Sequence, residues 1–132
     1  MSSHVTSINT KYKIEVIDDL LFGICAAIHT LEGPSTVIDK HTKDGMLAAI
    51  RQLSSSAKNE ISLSAISDIA ISKRMNRIYN CLNGISIVVS ILEQKDPPDW
   101  WTDAKNNGLI SLINELSYSA TTESQYIHDS FE

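Results

Sequence analysis

From Ile14 onward the apolar residues fall at Ile14, Ile17, Leu21, Ile24, Ile28 and Leu31, in steps of 3, 4, 3, 4 and 3. That spacing places one seam on one face of an α-helix. Gly33 and Pro34 end the seam, because glycine suits the turn after a helix and proline cannot continue one. A second, shorter helix is expected around Met46, Leu47, Ile50 and Leu53, dissolving into Ser54-Ser55-Ser56, with Lys58-Asn59-Glu60 as a connecting loop.

The third seam is the longest. Ile71, Met75, Ile78, Leu82, Ile85, Val89 and Leu92 step by 4, 3, 4, 3, 4 and 3. Ile87, Val88 and Ile91 add a second apolar face to its later half, so this helix is expected at the centre of the fold or under a second subunit. Asp96-Pro97-Pro98 stops it, and Asp99 is placed to cap a fourth helix from Trp100 that carries Leu109, Ile110, Leu112, Ile113 and Leu116. Asn106-Asn107-Gly108 is a possible kink in that helix. The pattern predicts an all-α, four-helix bundle-like single domain over residues 1–132, with a long central third helix and with residues 1–11 and 121–132 as flexible tails.

Composition changes this picture little. A chain of 132 residues with 42% hydrophobic and 20% charged residues buries a core without a metal or disulfide staple. Its apolar runs, Leu20 to Ile28 and Ile85 to Leu92, are too short to cross a bilayer, and Glu15, Asp18 and Asp19 interrupt the N-terminal stretch that a signal peptide would need. Cytoplasmic localisation and two reduced cysteines, Cys25 and Cys81, are the expectation. The net charge of −5 disfavours sequence-independent nucleic-acid binding. Residues 106 to 132 contain Glu115, Glu123, Asp129 and Glu132 but no lysine or arginine, which reads as an acidic tail able to meet a basic partner.

Candidate chemistry is sparse. Cys25 and His29 stand four apart with Glu32 three further on, a spacing that places all three on one side of a helix, but no second ligand cluster completes a metal shell. His4, His41 and His128 belong to no recognisable nucleophile motif, and no phosphate loop, zinc-protease helix or paired-carboxylate signature occurs. The sequence therefore points away from an enzyme and calls for no cofactor or metal.

Two features point to partners. Ile66-Ser67-Asp68-Ile69-Ala70-Ile71-Ser72-Lys73-Arg74-Met75-Asn76-Arg77 resembles the turn and recognition helix of helix-turn-helix DNA readers, which implies that Lys73, Arg74 and Arg77 face phosphates or base edges. The segment departs from that pattern in having Ala70 where a glycine is usual and Asn76 where an apolar residue is usual. The plainer alternative makes these three cations the solvated face of the third helix. Trp100 and Trp101 point about 100° apart on a helix, so one can anchor the bundle while the other meets a partner, the alternative being that both seal the bundle end. The function expected from the sequence is a non-enzymatic helical protein–protein interaction module. It would act as a small regulator, inhibitor or assembly subunit, of the kind mobile elements and host-defence systems use, with Ile87, Val88, Ile91, Trp100 and Trp101 toward another protein or its own copy, a homodimer being the natural cover. The alternative is a DNA-binding regulator using Lys73, Arg74 and Arg77.

Overall fold

The computed structural model describes residues 2–32, 40–63, 66, 68–94 and 103–131, and of residues 2–8, 40, 103 and 104 the backbone alone. These residues form four helices and no strand: α1 (Ser2–Glu32), α2 (Lys40–Ser62), α3 (Ile69–Leu92) and α4 (Asp103–Asp129). Each helix packs against two others, α1 against α2 and α4, and α3 against α2 and α4. The pairs α1/α3 and α2/α4 therefore lie on the diagonals of a square bundle. Lys13 of α1 meets Glu60 of α2 while Gly23 meets Leu53, and Asp18 of α1 meets Ser124 of α4 while Cys25 meets Ser117, so α1 runs antiparallel to both neighbours. Among the described residues no helix is long and apolar enough to cross a membrane.

Every helix carries a core seam at alternating steps of 3 and 4, the spacing that lets near-parallel helices interdigitate. On α1 the seam is Thr10, Ile14, Ile17, Leu21, Ile24 and Ile28, with Ala27 buried beside it, and on α3 it is Met75, Ile78, Leu82, Ile85 and Val89, with Val88 buried beside it. On α2 they are Leu47, Ile50, Ser54, Ala57 and Ile61, and on α4 they are Ile110, Ile113, Ser117, Ala120, Ser124 and Ile127. The diagonal helices α1 and α3 thus bring large aliphatic side chains into the middle, and the other diagonal brings serine and alanine at the intervening layers. Each fully buried aliphatic contributes roughly 1.5–3 kcal/mol. The small residues let the aliphatic side chains reach across the bundle without overpacking.

This division corrects several expectations. The second helix is not short: α2 spans 23 residues, and the Ser54–Glu60 stretch expected to end it is helical, with Ser54 and Ala57 wholly buried. Residues 121–129 are not a tail but the last turns of α4, and the segment expected as an N-terminal tail is helical from Ser2, with Thr10 in the core. Asn106-Asn107-Gly108 does not break α4. Nor is the third helix longest or central, since α3 has 24 residues against 31 in α1 and 27 in α4, and it occupies one corner like the others. Asp68 fixes its start: with extended backbone, its carboxylate accepts from the Ile71 N–H at 3.0 Å, satisfying one of the free donors of the first turn.

Candidate functional site

Two polar clusters join α4 to its neighbours. On the α1 side, the Ser124 hydroxyl donates to the Asp18 carboxylate, and the other carboxylate oxygen lies 3.7 Å from His128 Nδ1, which has no hydrogen-bond partner. Serine, histidine and aspartate are the residue types of a hydrolase triad, but here serine and histidine both face the carboxylate. A nucleophile needs its hydroxyl on the imidazole and open to substrate, whereas Ser124 is wholly buried. The arrangement is an interhelix clamp. Two turns away, the Cys25 thiol sits 3.4 Å from Ser117 Oγ and 3.9 Å from Thr121 Oγ1, while His29 is exposed. Among the described residues no three histidine, cysteine or acidic side chains are placed to hold a metal ion.

On the α3 side, Arg74 and Arg77 both donate to Glu123, at 2.8 and 3.4 Å, and the Arg74 guanidinium stacks 4.4 Å from the centre of the Tyr126 ring. Burial pushes the Cys81 thiol above its ordinary value of 9.0, and the Glu123 carboxylate adds to the shift. Of the three cations singled out in the sequence, Arg74 and Arg77 are thus engaged by α4, and Lys73 is exposed. Ala70, which stands where a helix-turn-helix turn usually has glycine, lies in the first turn of α3. Glu123, expected in an acidic tail, is instead the shared partner of both arginines.

The contacts of α3 with α4 also give their register. Arg74 meets Tyr126, Arg77 meets Glu123 and Gly84 meets Leu116, one residue back on α4 for each residue forward on α3. Continuing that register puts Val88 level with Leu112 and Ile91 level with Leu109. Val88 is buried, but Ile87, Ile91 and Leu112 are 56%, 37% and 44% exposed. Of the surplus face expected from Ile87, Val88 and Ile91, the bundle therefore absorbs Val88 and leaves the two isoleucines outside, where α4 adds Leu112, a residue read in the sequence as core. Trp100 and Trp101 lie outside the described residues.

Around this patch charge is scarce. From Ile78 to Leu92 the chain has no charged residue, and on α4 Glu115 alone is charged between Lys105 and Glu123. The outer face of α1 differs, exposing Lys11, Glu15, Asp19 and Glu32 around Phe22. The other exposed large apolar residues are Tyr12 on α1, Tyr118 on α4, Tyr126 against the stacked arginine, and Leu63 and Ile69 at the α2–α3 connection. No protein-family model matches the chain, and comparison with curated proteins and with solved structures returns no significant match.

Proposed function

We propose that this protein is a non-enzymatic helical interaction module, a small regulator, inhibitor or assembly subunit that works by presenting the α3–α4 face to a protein partner. The observation that carries this reading is the cluster of Ile87, Ile91 and Leu112, three aliphatic side chains exposed together on a face almost free of charge. Aliphatic groups left in water cost free energy that a partner surface recovers, roughly 25 cal/mol for each Å² covered. A lack of charge around them keeps the desolvation cost of that cover low. The polar groups with chemical potential support the same reading, since Ser124, Asp18, Glu123 and the two arginines are spent on holding helices together.

The test is site-specific photocrosslinking in living cells. A photoreactive side chain at position 87 or 112 captures a discrete protein adduct, whereas the same group at Ala26, exposed on the outer face of α1, captures none. Equal capture at all three positions, or no adduct at 87 and 112, overturns the reading.

A further inference from the structure

We infer that the partner of this face is a second copy of the chain, docked about a two-fold axis along α3. The inference rests on the interaction reading above and adds the identity of the occupant. Besides its core seam, α3 carries a second seam pointing outward: Asn76, Asn80, Asn83, Ile87 and Ser90, at steps of 4, 3, 4 and 3, every one exposed. That is the spacing along which another helix lies in register, and Ile91 and Leu112 flank it.

Its chemistry is self-complementary. A two-fold axis sets a surface against its own image, so any charge on the axis meets a like charge. Here the seam is built from carboxamides, a hydroxyl and an aliphatic side chain. Each carboxamide both donates and accepts, so asparagine pairs with asparagine across the axis. The whole chain carries −5, and the outer face of α1 exposes Glu15, Asp19 and Glu32, so two copies repel in most orientations. Between Asn76 and Ser90 the α3 seam carries no charge, so two such molecules meet there without opposed charges, the exposed cations Lys73 and Arg77 lying at its N-terminal end. Asparagines in a helix–helix seam fix register at a cost in stability, which makes this a reversible dimer rather than a permanent one.

Light scattering on the purified full chain over a range of concentrations tests the inference. The wild type reaches twice its 14.6 kDa mass as concentration rises. Raising salt does not dissociate it, because screening weakens the repulsion between acidic copies. Asn83→Asp, a nearly isosteric change at an exposed position, sets like charges across the axis and weakens association by about tenfold at low salt, with partial recovery at high salt. Ile87→Lys also favours the monomer, with helical circular dichroism unchanged, and Phe22→Lys on α1 leaves the mass curve as in the wild type. A wild type that stays monomeric at all concentrations overturns the second copy, as does a dimer indifferent to Asn83→Asp. If a monomeric wild type still yields adducts with a different protein at position 87 in cells, the interaction reading stands and the second copy alone falls. If neither is seen, both fall.

Discussion

At the scale of single residues, two buried serines make opposite predictions. Ser54 Oγ is buried without a hydrogen-bond partner, so its hydroxyl was taken out of water with nothing in return. Ser54→Ala therefore leaves stability unchanged or raises it by up to about 1 kcal/mol in urea unfolding, and a loss larger than that would show a partner the geometry lacks. Ser124 is as deeply buried but donates to Asp18, and Ser124→Ala leaves the carboxylate without that donor. A loss of about 1 kcal/mol is expected, moderated because Asp18 retains access to water. The Cys81 thiol gives a pH signature. Its folded value is raised, so the contribution is complete below the ordinary value of 9.0 and is lost as pH climbs through the folded value. Alkylation of Cys81 at mildly alkaline pH is accordingly slower than in the unfolded chain. Glu123→Gln removes the lesser of the two causes and speeds it; an unchanged rate would leave burial as the whole cause.

At the scale of elements, the seams of α1 and α3 were legible from sequence because both are written in isoleucine, leucine, valine and methionine. The same 3–4 spacing runs through α2 and α4, but at Ser54, Ala57, Ser117, Ala120 and Ser124 it is written in residues that read as surface or loop. A count of apolar positions stops at Leu53 and Leu116 for that reason, which makes one helix too short and turns the end of another into a tail. What makes serine a core residue at these positions is the bulk arriving from the opposite diagonal, information that one helix does not contain. The helical state of α2 and α4 also bears on their glycines. Gly45 and Gly108 sit within helices with open space where a Cβ would stand. Gly45→Ala and Gly108→Ala should each add about 0.5–1 kcal/mol, read as a higher melting temperature. A decrease at either position would mean that the chain is not helical there.

At the scale of the whole molecule, the charge-free stretch is local: between Ile78 and Leu92 α3 faces outward with amides, hydroxyls and the isoleucines Ile87 and Ile91, beside Leu112 of α4, whereas Lys73 and Arg77 are exposed nearer the start of α3. The excess of aliphatic residues at Ile87, Val88 and Ile91 was visible in the sequence, yet only a register between helices separates Val88, which is buried, from its neighbours and recruits Leu112 to their side. The same register sets Glu123, 49 residues from Arg74 in the chain, beside it in the bundle, a partner that the basic segment Lys73–Arg77 does not reveal when read alone. The account therefore predicts that duplex DNA is not retained by the purified protein at low salt. Retention that is lost on replacing Lys73, Arg74 and Arg77 with glutamate would favour the DNA reader instead.

The most direct measurement is disulfide trapping across the proposed two-fold axis. In a chain carrying Cys25→Ser and Cys81→Ser, a single cysteine is introduced by Ile87→Cys or, as control, by Ala26→Cys, and each protein is mildly oxidised at a concentration where the wild type associates. The α3 seam as the meeting surface predicts a disulfide-linked dimer from Ile87→Cys in high yield and little from Ala26→Cys. Equal yields from both positions, or none from Ile87→Cys, would contradict it.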